Sequence, residues 1–202
     1  IAKCADEKAP VIYAADAGAP DLRTCAIDYN NPEYFLLSAG NADMARYYGM
    51  PSIVSAAMTE YKDFSSPAGF ERNVMKAAMA MMTRSDLGCW LGSVDRCLSA
   101  SLVDVILDVE TYRYAKWYLR SFSADKYKLA VDVISEIGPR GCFLGNKHTF
   151  KNFKEEIFTG NIKDSFVFKD GAVKNYREMA ADKLNEILEK HHVEPIDGSL
   201  SF

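Results

Sequence analysis

The sequence predicts an α/β fold in which parallel strands alternate with helices. Three apolar runs, at residues 11–15, 52–57 and 88–93, have the length and side-chain types of buried strands. Their starts lie about 40 residues apart, which leaves room for a crossover helix in each connection and therefore favours parallel pairing. A fourth short strand is predicted at residues 142–145.

Capping residues mark where the helices begin. Asn31-Pro32 and Ser66-Pro67 each place a capping side chain before a proline at the first helical position, and they predict helices that end near Tyr48 and Thr83. Later helices are predicted over residues 101–122, 123–136, 150–158 and 175–191. The start of the first of these, from Leu102 to Leu107, also suits a strand because it is rich in β-branched residues.

The number of strand–helix units indicates part of a larger barrel. Four units do not close a sheet, whereas a TIM (β/α)8 barrel has eight strands and about 250 residues. The units occupy residues 1–149 and a helical extension occupies residues 150–202, with no linker between them, so a single domain is predicted. The chain begins at Ile1, so either its start was processed or it is a piece of a longer chain. These observations favour the C-terminal half of a TIM barrel plus C-terminal helices.

A complete, open α/β sandwich is the alternative architecture. It is weakened by the absence of any glycine-rich phosphate loop after a predicted strand. The overall composition, with 49% hydrophobic and 26% charged residues, disfavours collagen-like and disordered chains. No apolar run approaches the ~18–20 residues that a membrane span needs. The net charge of −4 argues against a nucleic-acid partner. The five cysteines form no C-x-x-C pair, which favours reduced thiols in a cytoplasmic protein over a zinc site or disulfides.

Candidate site residues lie where the predicted strands end, because the reacting groups of a TIM barrel lie at the carboxyl ends of its strands. The aromatic rings among them would frame a cation, although aromatic residues near strand ends are more often part of the core. The acidic residues among them are more often ordinary hydrogen-bonding loop residues. The full set is Tyr13, Asp16, Thr59, Glu60, Tyr61, Trp90, Ser93, Asp95, Asn146 and His148.

His148 is the strongest single candidate. The other two histidines, His191 and His192, lie at the end of the last predicted helix, where a positive charge suits the helix dipole. His148 lies between a predicted strand and a predicted helix. There it would bind a substrate carboxylate, relay a proton, or merely precede a helix that is capped by Thr149. No His, Asp or Glu cluster has the spacing of a metal site.

Several segments, taken together and in order, resemble the trimethylamine methyltransferase (MttB-like) family of corrinoid-dependent methyltransferases. The resemblance extends over nearly the whole chain and implies that it is the C-terminal portion of a longer TIM-barrel enzyme. The segments are Pro10-Val11-Ile12-Tyr13, Asp21-Leu22-Arg23-Thr24, Pro32-Glu33, Ala45-Arg46-Tyr47-Tyr48-Gly49-Met50-Pro51, Gly69-Phe70-Glu71, Leu107-Asp108-Val109-Glu110, Gly138-Pro139-Arg140-Gly141-Cys142-Phe143-Leu144, His148-Thr149 and the ending from Ala180 to Asp197, with Ile187-Leu188-Glu189-Lys190-His191 and Glu194-Pro195.

The resemblance implies transfer of a methyl group from a methylated amine to the cobalt of a separate corrinoid protein. The chain would then bind no cofactor directly, since cobalamin is carried by that partner. Near the family's pyrrolysine region Lys62 matches, whereas Glu60, Ser65 and Pro67 replace Asp, Asp and Gln. The strand from Ile53 contains only ordinary residues, which implies a non-pyrrolysine enzyme acting on a quaternary amine such as glycine betaine.

In this interpretation Glu60 and His148 are the catalytic candidates. Loss of a methyl group leaves a neutral amine, so that catalysis works mainly by positioning. The aromatic rings and Glu60 would hold the cation, while His148, Arg23 or Lys62 would hold a substrate carboxylate. The substrate-binding candidates are Tyr13, Tyr61, Trp90 and Asp95.

Two other functions remain open at the level of sequence. A non-catalytic half-barrel that serves as a binding or assembly module would account for the altered loop at residues 59–67, and an unrelated α/β enzyme is the third reading. A half-barrel leaves strand edges and helix faces uncovered, which predicts a homo-oligomer.

Overall fold

The computed structural model describes residues 1–15, 17–27, 29, 31–55, 75, 77–158 and 176–194. Within these residues the chain is a mixed α/β structure. Its helices are α1 (Ala2–Ala5), α2 (Pro32–Tyr47), α3 (described over residues 77–82), α4 (Leu102–Tyr118), α5 (Lys126–Leu129), α6 (Val131–Ile137), α7 (Lys147–Glu156) and α8 (Tyr176–Lys190). Its strands are β1 (Tyr13–Ala14), β2 (Pro20–Asp21), β3 (Ala26–Ile27), β4 (Ser52–Ser55), β5 (Leu87–Cys89), β6 (Ser93–Val94) and β7 (Ser99–Ala100).

The central sheet has three parallel strands in the order β1–β4–β5, which confirms the parallel pairing predicted from the sequence. Ala14 pairs with Ile53, and Ile53 pairs with Leu87. Helix α2 connects β1 to β4, and α3 lies between β4 and β5, so each connection carries the expected helix. The described strands are shorter than predicted; the third ends at Cys89.

Asp86 joins the starts of β4 and β5. Its Oδ2 atom accepts hydrogen bonds from the Ser52 amide at 2.8 Å and from the Ser52 hydroxyl at 3.0 Å. These two bonds stabilise the ionised carboxylate and lower the pKa of Asp86 below its usual value. The register of the two strands is thereby fixed at the end of the sheet opposite to the predicted site.

The prediction of a fourth strand at residues 142–145 is wrong. These residues form a turn in which the Asn146 amide donates to the carbonyl of Phe143 at 3.1 Å. The apolar run is only three residues long and lies between two glycines, so local turns satisfy its backbone instead of a neighbouring strand. The helix predicted over residues 123–136 is likewise divided into α5 and α6 at Ala130, which adopts a left-handed conformation with φ 49°.

Two antiparallel hairpins were not anticipated from the sequence. β2 pairs with β3 and β6 pairs with β7, and both hairpins lie in connections that leave the carboxyl ends of parallel strands. In the first turn Asp21 Oδ1 accepts from the Arg23 amide at 2.8 Å. In the second turn three consecutive residues, Asp95, Arg96 and Cys97, have φ angles of 51°, 56° and 64°.

Helices α2 and α4 begin at side-chain caps, whereas α7 begins at Lys147, three residues before its predicted start. The Asn31 side chain accepts from the Tyr34 amide at 3.2 Å at the start of α2, and Ser101 Oγ accepts from the Asp104 amide at 3.3 Å at the start of α4. The Ser101 cap confirms the helical interpretation of the segment from Leu102. α8 lies within one residue of its predicted bounds. The described part of α3 agrees with the predicted second helix, whose predicted start at Ser66 lies outside the described residues.

Helix α4 contributes to both hydrophobic clusters of the described structure. On the sheet side Tyr112 packs against a cluster of Ala42, Val54 and Ala80. On the other side Leu107 packs against Met179 and Ala180 of α8. The buried carboxylate of Asp104 also forms an ion pair with the Arg177 guanidinium of α8, with 2.9 Å between the two groups. α4 is therefore held in a defined position relative to the carboxyl ends of β4 and β5.

In the part of the chain that the structure describes, no helix combines the length and the apolar character needed to cross a bilayer.

Candidate functional site

The loop that follows β5 is held by a buried acid of α4. The Gly92 amide donates to Asp108 Oδ2 at 2.6 Å, and the Asp108 residue is only 2% exposed. The Gly92 carbonyl accepts from the Ser101 amide at 2.9 Å. Both polar backbone groups of Gly92 are therefore bonded to α4 or its cap, and the loop is fixed relative to that helix.

The backbone of this loop requires glycine at position 92. Gly92 has φ 75°, and a Cβ atom there would lie 2.3 Å from Val105 Cγ2 and 2.9 Å from the Ser101 carbonyl oxygen. Trp90 also has a positive φ, of 70°, although it carries a large side chain. Its carbonyl accepts from the Ser93 amide at 3.1 Å, which closes a tight turn. Backbone of this kind persists only where its surroundings hold it in place.

The turn presents Trp90 at the carboxyl end of β5. The residue is 48% exposed, so much of the indole is accessible to a ligand. Trp is the best of the aromatic side chains for contact with a cation. Trp90 therefore lies exposed at the end of the sheet where the sequence predicted it.

Two buried hydroxyl groups lie near the ends of β4 and β5. Among the described residues neither Ser55 Oγ nor Tyr112 Oη has a hydrogen-bond partner. Ser55 pairs with Cys89, whose thiol donates to the Val54 carbonyl at 3.4 Å. Burial raises the pKa of the Tyr112 phenol well above its usual value, and the neighbouring Cys89 and Asp108 act in the same direction. Tyr112 therefore keeps its proton at neutral pH and remains a hydrogen-bond donor.

Tyr13 does not lie beside Trp90. Its ring stacks on that of Tyr48, with 6.4 Å between the ring centroids and 22° between the planes. Because Ala14 is level with Leu87 in the sheet, Tyr13 lies four residues before Trp90 along the strand direction. That offset corresponds to about 13 Å. The structure therefore associates Tyr13 with the C-terminal end of α2, and the two rings do not form one cage.

His148 connects α7 to α5. Its Nε2 lies 2.9 Å from the Tyr127 carbonyl oxygen, to which it donates when the proton is on Nε2, and its ring lies 4.9 Å from the Tyr127 ring. Asn146, rather than Thr149, caps α7 by accepting from the His148 amide at 2.8 Å. Asn152 Nδ2 donates to the His148 carbonyl at 2.7 Å and to the Tyr127 hydroxyl at 3.0 Å. The His148 ring thus contacts α5, while both of its backbone groups are bonded within α7 and its cap.

The remaining sequence candidates occupy several places. Asp95 lies half-buried in the turn between β6 and β7, where its carbonyl accepts from the Leu98 amide at 3.1 Å. Arg23 is exposed and binds Asp21 through Nε at 3.0 Å and Nη2 at 2.8 Å, which lowers the pKa of Asp21. Glu60 and Tyr61 lie outside the described residues, as do Asp16, Thr59 and Lys62.

Asp108, Ser55 and Tyr112 are members of this site that sequence reasoning did not select. Asp108 and Tyr112 are spaced four apart on α4, a signal for one helix face, but nothing local shows that this face meets β4 and β5. Within the described ranges, no group of three or more His, Cys, Asp or Glu residues could hold a metal ion. The arrangement combines one exposed aromatic ring with two buried neutral hydroxyls near the same strand ends.

The described structure is that of a mixed α/β protein with candidate site residues at the carboxyl ends of parallel strands. The sequence model of the family described as trimethylamine methyltransferase (MTTB) matches residues 1–201. The chain belongs to that family.

Two named groups of relatives are similar to the chain. A glycine betaine methyltransferase of Desulfitobacterium hafniense (strain Y51) is 30% identical over 155 residues, which cover 77% of this chain and 32% of the relative. The trimethylamine methyltransferase MttB of Methanosarcina barkeri (strain Fusaro / DSM 804) is 24% identical over 195 residues, covering 95% and 39% respectively. MttB of D. hafniense (strain DSM 10664 / DCB-2) is 22% identical over 197 residues, covering 96% and 39%. The chain thus spans between 32% and 39% of the length of these relatives.

Proposed function

We propose that the protein containing this chain is a methyltransferase that removes a methyl group from a quaternary amine, such as a betaine. Family membership supports the reaction class, and the betaine methyltransferase among the relatives supports the substrate class. The observation that carries the proposal is the Trp90 indole, displayed at the carboxyl end of β5 by a loop that α4 holds in place.

The proposed acceptor is the cobalt of a corrinoid carried by a separate protein. In the transfer the C–N bond of the donor would break with its electron pair on nitrogen, so that the amine leaves neutral, and Co(I) of the corrinoid would supply the electron pair of the new bond to the methyl carbon. Such a leaving group needs no proton, so the site requires no general acid. The work left to this chain is to orient the ammonium group and to exclude water from it.

Trp90 is proposed to contact the quaternary ammonium face of the substrate. A desolvated contact of this kind stabilises the complex by about 0.5–2 kcal/mol. The buried hydroxyls of Ser55 and Tyr112 lie near the same strand ends, and both are neutral donors suited to a substrate carboxylate. His148 is not given this role, because its Nε2 already contacts the Tyr127 carbonyl.

The parallel sheet is proposed to be one part of a TIM barrel that the rest of the protein completes. Its order β1–β4–β5 and the helices in its connections are those of successive units of such a barrel. The loops after β1, β4 and β5 would then open on one common face. Glu60 and Tyr61 follow β4 in the sequence, and their part in the site stays a prediction.

Calorimetric titration of the full-length protein with glycine betaine, carnitine and trimethylamine tests the proposal. We expect a betaine to bind and Trp90→Leu to weaken its affinity by about 2- to 30-fold, as loss of one cation–π contact predicts. Trp117→Leu is the matched control, since Trp117 lies near the end of α4 beneath Arg120 at 3.9 Å and away from the loop.

Three results would count against parts of the proposal. If a folded full-length protein binds none of these amines, the proposed substrate class is wrong and a non-catalytic binding or assembly role is favoured. Equal losses in the Trp90→Leu and Trp117→Leu variants would discard the site. Tighter binding of trimethylamine than of any betaine would contradict the proposal that the substrate is a quaternary amine. Methyl transfer to a corrinoid protein, followed by the change in cobalamin absorbance, tests the acceptor separately.

A further inference from the structure

We propose that Asp108 is a positioning residue that holds the Trp90 loop in its ligand-binding form. The proposal rests on the proposed function of Trp90 and adds the residue on which its placement depends. Asp108 contacts no surface from which a substrate would approach, since it is almost completely buried on α4. Its role is exerted through the backbone of the loop.

The contact between Asp108 and Gly92 is a hydrogen bond from a backbone amide to a buried carboxylate. The distance from the Gly92 nitrogen to Asp108 Oδ2 is 2.6 Å. Hydrogen bonds that involve a charged partner are shorter and about twice as strong as neutral ones, and removal of the acceptor leaves the amide without a partner. Within the described chain this bond joins positions 16 residues apart.

The loop needs such a contact because its backbone is unfavourable by itself. Trp90 and Gly92 both have positive φ angles, of 70° and 75°, on either side of Leu91. A tryptophan has no intrinsic preference for that region, so the turn would relax toward ordinary backbone angles if it were released. Ser101 supplies a second contact by donating its amide to the Gly92 carbonyl at 2.9 Å.

The direction of the coupling follows from this geometry. α4 is fixed from its other side by the contact of Leu107 with Met179 and by the Arg177–Asp104 ion pair at 2.9 Å. The helix is therefore the rigid partner and the loop is the part that moves. Loss of the Asp108 carboxylate frees the Gly92 amide and lets the indole of Trp90 turn away from the strand end.

Hydrogen–deuterium exchange of the full-length protein measures the contact directly, at peptides covering residues 90–94. We expect Asp108→Ala to speed exchange of the Gly92 amide by at least about tenfold, the loss expected for a charge-assisted bond. Asp108→Asn keeps a neutral acceptor oxygen and should restore part of the protection. Asp108→Ala removes a buried group and could unfold the protein. The Asn variant keeps the volume of the side chain, so it tests the same contact in a folded protein.

Glu110→Ala is the matched control. Glu110 is a second buried acid on α4, and its carboxylate lies 3.7 Å from the guanidinium of Arg113 on the same helix. Its replacement should lower stability while leaving exchange at Gly92 and the affinity for a betaine unchanged. A variant that merely weakens the fold is thereby separated from one that releases the loop.

A double-mutant cycle with Trp90→Leu tests whether Asp108 acts through Trp90. We expect Asp108→Ala to weaken binding of glycine betaine by about 2- to 30-fold in the native background and to have no further effect in the Trp90→Leu background. Additive losses would overturn the positioning role, as would unchanged Gly92 exchange in both Asp108 variants. If the native protein binds no quaternary amine, the proposed function fails, while the exchange measurement still decides whether Asp108 holds the loop.

Discussion

Residues with left-handed backbone are concentrated after β5. Trp90, Asp95, Arg96 and Cys97 all have positive φ angles without being glycine, and Gly92 lies among them. Such angles cost free energy in residues with side chains, and they persist where hydrogen bonds and packing over-determine the backbone. Here the two bonds to Gly92 supply that support. The backbone that displays Trp90 is therefore maintained by α4, outside the loop itself.

Gly92→Ala should destabilise the full-length protein by about 1–3 kcal/mol, the usual cost of a strained backbone position, because φ 75° disfavours alanine. The added Cβ would also collide with Val105 Cγ2 at 2.3 Å. Urea denaturation followed by circular dichroism measures the change in the free energy of unfolding.

Gly40→Ala is the control for this substitution. Gly40 lies inside α2, and apart from the backbone of that helix and the chain neighbours of Gly40, no described atom would lie within 4 Å of a Cβ placed there. Alanine at that position should raise stability by about 0.5–1 kcal/mol through its helix preference. Equal effects of the two substitutions would contradict the steric argument for Gly92.

At the scale of single residues, the sequence predicted where a residue lies in the fold better than which residues it contacts. Trp90 was selected because it lies at a strand end, and it is indeed exposed there. The sequence did not predict a role for Asp108, because no local sequence pattern indicates that residues 92 and 108 are in contact. His148 was selected for its rarity and position, whereas its contact with Tyr127 spans 21 residues. The roles of Glu60 and Tyr61 stay predictions.

At the scale of elements, α4 determines where the site lies. The segment from Leu102 has the β-branched residues of a strand, and only the Ser101 cap and the length of the pattern favour a helix. Its two packed faces explain the ambiguity, because a helix covered on both sides loses the simple amphipathic pattern. The wrongly predicted fourth strand shows the converse: an apolar run between glycines forms a strand only if a neighbour pairs with it.

Leu107→Ala should lower the free energy of unfolding by about 2–5 kcal/mol, the usual range for removing a buried leucine side chain. Leu107 is 1% exposed and packs against Met179 across the interface between α4 and α8. Leu188→Ala on α8 is the control, because Leu188 is 58% exposed and should lose less than about 0.5 kcal/mol. Thermal unfolding monitored by circular dichroism separates the two, and similar losses would show that this interface contributes little.

At the scale of the whole molecule, many large apolar side chains of the described residues are exposed. Leu36 is 68% exposed, Tyr47 80% and Tyr118 77%. The three-stranded sheet also ends at β1 and β5, each of which pairs on one side only among the described strands. Parallel sheets are normally covered on both faces and continued at their edges. These exposed side chains and strand edges favour association with another copy of the chain.

The isolated 202-residue chain should accordingly sediment as a dimer or larger assembly at micromolar concentration. Leu87 lies on the edge strand β5 and is exposed, so Leu87→Lys should shift the chain toward the monomer by placing a charge at that edge. Leu22→Lys is the control, because Leu22 is equally apolar and more exposed but lies in the hairpin turn between β2 and β3. Analytical ultracentrifugation distinguishes the species: a stable 22.5 kDa monomer for the native chain would contradict the argument from exposed surface. An equal shift in both variants would show that general hydrophobicity, and not the edge of the sheet, drives association.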